Sequence, residues 1–240
     1  EGPTGTSIIM VTPDFERTMN THLGANRFFT REDVSFDQVE RARMLHFTGY
    51  MWDTEPQKAA VLEAIDRAKQ HGTTIVFDVA DPFAAERNTE AFLRLIEEHA
   101  DIVFANTREA ELLLGIPDPE EAVARLGGSC RYAVVKDGAR GSFVKETGER
   151  TVHIPAAPAT AVIDTTGAGD VYAAGFLFGL LRDESAADAG AFAALVASKI
   201  IQQMGAQLSD ESVREVVDAF ASRSYRETVF QEEAAPSVRI

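Results

Sequence analysis

From Met44 onward, the chain alternates short apolar runs with stretches of helical periodicity. Runs that are apolar at successive positions are typical of strands buried on both faces of a parallel sheet. We predict strands at residues 45–48, 74–79, 102–105, 132–135 and 161–163. This order of elements indicates an α/β domain with a mostly parallel sheet and helices packed on it.

Apolar residues recur on single helical faces between and after these runs. The three sets are Val61, Ile65 and Ala68; Phe92, Leu95, Ile96 and His99; and Val213, Val216, Val217 and Phe220. We expect the first two helices to cover the sheet. The third set has the cleanest amphipathic spacing, which predicts a stripe that packs in the core.

The opening segment has the pattern of a β-hairpin. Residues 6–11 are extended, Pro13-Asp14 is a turn signal, and residues 17–23 alternate apolar and polar side chains. Because an exposed hairpin edge can pair with another chain, homodimer formation through it stays open. We expect a small β-element ahead of one α/β domain.

Composition narrows the function. The chain has 240 residues, 45% of them hydrophobic, and a formal net charge of −15. This acidic balance argues against binding nucleic acid or an anionic membrane surface. We expect no membrane span and no signal peptide. The single cysteine, Cys130, fits a reducing cytoplasm and excludes an internal disulfide framework.

Residues 164–170, Asp-Thr-Thr-Gly-Ala-Gly-Asp, carry the strongest chemical signal. They follow the predicted strand 161–163 and precede a helical run at 171–181, so a glycine-rich turn falls at a helix N-terminus. Free amides and the positive end of the helix dipole suit a phosphoryl group there. Asp170 then fits a base beside a hydroxyl nucleophile.

Other interpretations of this segment remain open. Asp170 can simply cap the helix while the glycines make a tight turn. A dinucleotide-binding fingerprint fits less well, because Tyr172 holds the third glycine position. The sequence has no P-loop, zinc-binding or catalytic-triad pattern, and its five histidines are scattered.

Residues 164–170, followed by Ala173-Ala174-Gly175-Phe176, resemble the C-terminal signature of the ribokinase-like, or phosphofructokinase B, carbohydrate kinases. The resemblance implies a ribokinase-like three-layer α/β/α domain with a small β lid. It also implies ATP and Mg²⁺ as cofactors, Asp170 as the catalytic base, and an anion hole at Gly167, Ala168 and Gly169.

Further segments occur in the order that this family places them. Residues 106–109 resemble its Asn-x-x-Glu motif, which implies that Asn106 and Glu109 help to hold Mg²⁺ through water. Residues 134–141 resemble the strand and glycine turn beside the nucleotide phosphates, which implies roles for Gly138 and Gly141. Lys136 departs from the common Thr, and can contact the phosphates or lie on the surface.

Residues 205–209 are similar to the family's loop near adenine, which implies that Gly205 and Thr166 lie at the nucleotide. In ribokinase itself this region also neighbours a monovalent cation site. The resemblance therefore allows K⁺ at Asp164, Thr166 and Ser209.

Residues 24–26 and the hairpin before them resemble the substrate lid, so we assign residues 1–27 to part of the lid and 28–240 to the nucleotide-binding kinase domain. Residues 45–50 and 77–83 look closest to the adenosine-kinase branch. Tyr50 and Trp52 can form an aromatic wall for a purine, or can be packing residues at a strand end.

The family's first strand and its Gly-Gly-x-x-x-Asn substrate motif have no counterpart in the chain, so we expect the intact protein to carry a further N-terminal portion. The resulting hypothesis is an ATP-dependent kinase of a hydroxymethyl group on a sugar or nucleoside. Two alternatives stay open: a non-catalytic nucleotide- or metabolite-binding kinase homologue, and a nicotinamide-dependent oxidoreductase.

Overall fold

The computed structural model describes residues 2–12 and 17–230, so the predicted turn at Pro13-Asp14 lies outside the described residues. The chain divides into two compact units. The first comprises residues 1–137 and 143–151, and the second comprises residues 138–142 and 152–240. The boundary expected after residue 27 stays a prediction.

The first unit opens with the predicted hairpin. Strands β1 (Thr6–Val11) and β2 (Arg17–His22) pair antiparallel, with Ile9 opposite Met19. Both of these side chains are exposed. The 3₁₀ turn after β2 is tied to the rest of the unit, because the Gln57 side-chain amide donates to the Asn26 carbonyl at 2.9 Å.

A parallel sheet forms the centre of the first unit. Its strands are β3 (Met44–Thr48), β4 (Thr74–Asp78), β5 (Ile102–Asn106) and β6 (Tyr132–Lys136), in that order across the sheet. Each pairs in parallel with the next. Four predicted strands are therefore confirmed. The strand β7 (Ser142–Glu146), next to β6, was not predicted, because its burial alternates and leaves no continuous apolar run.

Helices cover the sheet as predicted. They are α1 (Phe36–Arg41), α2 (Glu55–His71), α3 (Pro82–Arg87), α4 (Thr89–Glu98), α5 (Thr107–Leu114) and α6 (Pro119–Leu126). Ile65 of α2 and Phe92 of α4 are fully buried, and Phe92 packs edge-on against Phe77 of β4 with ring centroids 5.1 Å apart. Parallel strands place their carboxyl ends at one edge of a sheet, so Asp78, Asn106 and Lys136 lie at the same edge.

The second unit is mostly helical. It contains β8 (Val152–Ile154), α7 (Ala168–Leu181), α8 (Ala186–Ile200), α9 (Asp210–Ser222) and α10 (Ser224–Val229). Helices α7 and α8 pack closely, because a Cβ atom at Gly179 would lie 2.8 Å from Ala189, and one at Gly175 would lie 3.0 Å from the Cα of Ala193. No helix among residues 2–12 and 17–230 is long and apolar enough to cross a membrane.

Two sequence predictions for this unit are wrong. Residues 161–163 form no strand; the Ile163 amide donates instead to the Ile201 carbonyl just after α8, at 2.7 Å. The stripe of α9 is only partly core, since Val216 is buried while Val213 and Val217 are exposed. Periodicity identified an amphipathic helix, but no other element among the described residues covers the whole of its apolar face.

Candidate active site

The glycine turn stands at the start of α7. Gly167 is the N-cap and has a φ of 76°, a left-handed conformation that disfavours residues with a Cβ atom. A Cβ there would also lie 2.9 Å from the Cβ of Ala206. The first helical bond of α7 runs from the Val171 amide to the Gly167 carbonyl, at 2.9 Å. The preceding amides, of Gly169 and Asp170, thus lie at the helix N-terminus, where anions bind.

Asp170 is the third residue of α7 and is exposed. The helix begins at Ala168, three residues earlier than the run predicted from the sequence, so Asp170 sits within the first turn. The Asp170 side chain is therefore open to solvent at the start of the helix. In this position the Asp170 carboxylate can contact a hydroxyl group of a ligand. Its charge is solvated and needs no buried partner.

The buried Asp164 side chain holds the glycine turn in place through hydrogen bonds. Its Oδ1 accepts hydrogen bonds from the Thr166 amide at 2.9 Å and the Thr166 hydroxyl at 2.6 Å. Its Oδ2 accepts from the Gly205 amide at 3.0 Å. Three residues predicted at the nucleotide or the cation are thus brought together. Ser209, the fourth, caps α9, where its hydroxyl accepts from the Ser212 amide at 3.1 Å.

The glycine turn at residues 138–141 also lies in the second unit. Gly141 has a φ of 96°, and a Cβ there would lie 2.0 Å from the Ile154 carbonyl oxygen. The adjacent Ser142 hydroxyl shares a 2.6 Å hydrogen bond with the Tyr172 hydroxyl of α7. Burial raises the pKa of Tyr172, so the phenol stays protonated. This bond, which joins the turn to α7, has no signal in the sequence because the partners are 30 residues apart.

Asn106 and Glu109 form a capping box at the start of α5. The Asn106 amide and side-chain amide donate to the two Glu109 carboxylate oxygens at 2.8 and 2.7 Å, and the Glu109 amide donates back to Asn106 Oδ1 at 2.8 Å. Burial raises the pKa of the Glu109 carboxyl to about 7, although the nearby Lys136 ammonium opposes the rise. The two side chains are in direct contact, and both satisfy polar groups at the helix start.

Lys136 does not lie on the surface, which was one of the two sequence interpretations. Its ammonium contacts the Asp78 carboxylate at 3.2 and 3.4 Å, and it lies over the Phe104 ring. The side chains are 15% and 3% exposed. Asp78 was not among the predicted site residues, although a carboxylate at the end of a buried strand is a signal for a paired or functional group.

The two aromatic candidates separate. Trp52 is buried in the hydrophobic core of the first unit, so it is a packing residue. Tyr50 is 57% exposed, and its hydroxyl donates to the Ala80 carbonyl at 3.3 Å. Of the two, Tyr50 is the one that can present an aromatic face to a ligand.

In the described part of the chain, the side chains that could bind a metal ion directly are few at this site. Among the described residues, no three His, Cys, Asp or Glu side chains gather as a metal cluster. Mg²⁺ needs no such cluster, because it keeps several waters and binds substrate phosphates with one or two protein groups. The Glu109 oxygens already accept from Asn106, so contact through water is the form that fits these residues.

The chain resembles known proteins in both sequence and fold. Residues 1–213 match the pfkB family of carbohydrate kinases, and the chain belongs to that family. This chain is similar to adenosine kinase from Sinorhizobium meliloti, whose crystal structure matches it with a TM-score of 0.86 and 38% sequence identity. The match covers 90% of this chain and 66% of that one. The family predicted from residues 164–176 is confirmed.

A ribokinase from Arabidopsis thaliana, 23% identical, has a TM-score of 0.70, and the match covers 90% of this chain and 70% of that one. The ribokinase-like three-layer α/β/α fold class is confirmed. A 5-dehydro-2-deoxygluconokinase from Geobacillus kaustophilus is 32% identical over 178 residues, which cover 70% of this chain and 52% of the relative. The chain thus spans about half the length of this curated relative.

Proposed function

We propose that this chain carries the base and the phosphate-binding elements of an ATP-dependent kinase, which phosphorylates a hydroxymethyl group of a sugar or nucleoside. The observation that carries the proposal is the exposed Asp170 in the first turn of α7, next to the amides that follow Gly167. The carboxylate can accept the proton of an alcohol, and the helix start can bind the phosphate oxygens of a triphosphate. The two groups together suit phosphoryl transfer between these substrates.

The reaction transfers one phosphoryl group. The Asp170 carboxylate accepts the hydroxyl proton while the hydroxyl oxygen forms its bond to the γ-phosphorus, and the bond from that phosphorus to the β-γ bridging oxygen breaks to release ADP. Amides of the glycine turn donate to the phosphoryl oxygens as their charge is redistributed. The buried Asp164 keeps the turn in place, through Thr166 and Gly205.

Asn106 and Glu109 would hold Mg²⁺ through its water shell. Mg²⁺ supplies neutralisation of charge on the phosphate oxygens. Gly138 and Gly141 are proposed to line the nucleotide phosphates, whereas the Lys136 ammonium, which the resemblance also allowed there, is held by Asp78. For K⁺, Asp164 and Thr166 offer oxygen atoms, whereas the Ser209 hydroxyl is engaged at the start of α9, so its part is the weakest in the proposed set.

The acceptor is proposed to be a nucleoside or a sugar. The adenosine kinase match supports a nucleoside, and Tyr50 offers an exposed ring. The 5-dehydro-2-deoxygluconokinase match supports a sugar acid. The hairpin, with Ile8, Ile9 and Met10 exposed, is proposed to close over the acceptor and to pair with a second copy. The buried single cysteine fits our proposal of a cytoplasmic protein.

Replacing the base tests the catalytic assignment. In the intact protein, Asp170→Asn should lower turnover by about 10²- to 10⁴-fold, the usual contribution of a positioned general base. Asp210→Asn is the matched control, because Asp210 is an exposed carboxylate in the first turn of α9 and has no proposed role. Near wild-type turnover of Asp170→Asn, with unchanged folding, would exclude Asp170 as the base.

A substrate screen tests the reaction class. The intact protein with ATP and Mg²⁺ should be offered adenosine, other nucleosides, ribose, fructose and 5-dehydro-2-deoxygluconate, with phosphorylated product detected by mass. Formation of product identifies the acceptor. Binding of ATP without product from any of these acceptors would favour the non-catalytic homologue.

A further inference from the structure

A chain of polar contacts crosses the carboxyl edge of the sheet in the first unit. The Lys136 ammonium, at the end of β6, contacts both oxygens of Asp78 at the end of β4. Asp78 Oδ1 accepts from the Ala80 amide at 3.2 Å, and the Ala80 carbonyl accepts from the Tyr50 hydroxyl at 3.3 Å. The path therefore runs from the last residue of β6 to the segment that follows β3.

The turn in the middle of this path is strained. Ala80 has a φ of 65°, and the Asp81 amide donates to the Val79 carbonyl at 2.8 Å across it. A two-residue bond around a residue with positive φ is the pattern of a rare, strained γ-turn. Such a conformation persists only when its surroundings hold it in place, and strained turns concentrate at ligand-binding sites. The Asp78 carboxylate is the side chain that holds the Ala80 amide.

The ion pair is an unusual means of support. Asp78 and Lys136 are nearly buried, and Lys136 reaches Asp78 across the Phe104 ring of β5. Taking two charges out of water is unfavourable, so a buried pair adds little to stability on balance. A pair of this kind is better explained by the side-chain geometry that it fixes. Here the Lys136 ammonium fixes the orientation of the Asp78 carboxylate, which accepts the hydrogen bond of the Ala80 amide.

The turn presents side chains to solvent. The Ala80 carbonyl anchors Tyr50, and three residues after Ala80 lies Phe83, which is 72% exposed. The 3₁₀ turn Gly49–Trp52 and α3 pack against each other. Both aromatic residues follow the carboxyl ends of neighbouring parallel strands, which is where α/β sheets bind ligands.

We propose that Lys136 and Asp78 are positioning residues for the acceptor: their ion pair fixes the turn at Ala80, and the turn fixes Tyr50 as a contact surface for the acceptor alcohol. This proposal rests on the kinase function above. It also explains why a lysine can replace the common Thr at this strand end, since the Lys136 ammonium acts on the acceptor side of the sheet edge through Asp78.

Steady-state kinetics on the intact protein test the path from both ends. Tyr50→Phe removes only the hydroxyl that reaches Ala80, and should raise KM for the acceptor about threefold to tenfold, as for one lost hydrogen bond. Lys136→Met should raise the same KM, while kcat and KM for ATP stay within about twofold, because positioning residues act here on binding of one substrate. Lys136→Arg should restore the wild-type KM.

The double variant separates a shared path from independent effects. If Lys136 acts through Tyr50, Lys136→Met combined with Tyr50→Phe should raise the acceptor KM no further than the larger single change. Multiplied effects would overturn the proposal, as would a rise in KM for ATP in Lys136→Met, which would indicate direct phosphate contact. Lys58→Met, which removes a lysine from an ion pair with Glu55 on α2, is the control and should leave every constant unchanged.

A readout without turnover keeps this test apart from the kinase proposal. Amide hydrogen exchange of the peptide covering residues 78–83 should be faster in Lys136→Met and unchanged in Lys58→Met, whether or not any acceptor is phosphorylated. Unchanged exchange in Lys136→Met would overturn the link through Asp78. If that variant does not fold, Asp78→Asn with Lys136→Met, which removes both charges, replaces it in both measurements.

Discussion

The buried Asp164 carboxylate accepts the Gly205 amide at 3.0 Å on one oxygen and holds Thr166 with the other. One side chain thereby joins the turn ahead of α7 to the loop that follows α8. Asp164 and Gly205 are 41 residues apart in the chain. Their contact holds the loop after α8 against the turn that leads into the helix carrying Asp170.

Replacing this carboxylate should therefore loosen both segments. In Asp164→Asn, one oxygen becomes an amide that faces N–H or O–H donors, so we expect a loss of about 1 to 3 kcal/mol of stability. Urea unfolding measures the loss. Asp218→Asn, on the exposed face of α9, is the matched control and should change stability little. Equal midpoints for the two variants would contradict the role of Asp164.

Gly167→Ala tests the glycine turn. The left-handed conformation should cost the alanine about 1 to 2 kcal/mol, and its Cβ would also press on Ala206, so turnover should fall. Gly72 ends α2 with a φ of 72°, and a Cβ added there would have no atom within 4 Å. Gly72→Ala should thus show the conformational cost alone, with turnover unchanged. Equal turnover in both variants would show that the shape of the Gly167 turn is not needed.

A second pair of glycines separates the cost of the left-handed backbone conformation from the cost of a steric clash. Gly138 and Gly141 both have positive φ, but only Gly141 has backbone in the way, with the Ile154 oxygen 2.0 Å from a Cβ. Gly138→Ala should cost about 1 to 2 kcal/mol, and Gly141→Ala about 3 kcal/mol or more, since the backbone must move. Thermal or urea unfolding compares them, and equal losses would argue against a close approach at Gly141.

Cys130 should be inert in the folded protein. Burial raises the pKa of the Cys130 thiol to about 12, and the reactive thiolate is therefore scarce at any pH below that value. A thiol reagent such as DTNB should modify the native protein slowly from about pH 7 to pH 9, and rapidly once urea unfolds it. Fast modification of the native protein would contradict the burial.

The sequence was most informative where local pattern decides structure. The four parallel strands were predicted to within a residue at either end. The strands β4, β5 and β6 are buried and apolar nearly throughout, whereas β3 is half-buried and contains the exposed His46. The segment 161–163 shows the limit of an apolar run as a signal for a strand. It is equally apolar, yet it bonds to the end of α8, and Val162 and Ile163 are exposed. Three apolar residues do not specify which partner satisfies their backbone.

The candidate site was predictable where it is a contiguous motif and not where it depends on distant partners. The capping box of Asn106 and Glu109 lies within four residues, so a motif can encode it. Lys136 and Asp78 are 58 residues apart, and their pairing depends on the order of strands across the sheet. A sequence shows that a charge stands at the end of a buried strand, but not which charge lies opposite.

Gly175 and Gly179 let the backbone of α7 rest almost directly on Ala189 and Ala193 of α8. A joint made of backbone and methyl groups contains no long side chains whose rotamers could change and absorb a displacement. The helix that bears Asp170 therefore has little freedom to slide or roll during a catalytic cycle. Under the proposed function, adjustments that bring two substrates into line must come from the substrates and from other parts of the protein, while the Asp170 carboxylate, the proposed proton acceptor, stays as the fixed reference point.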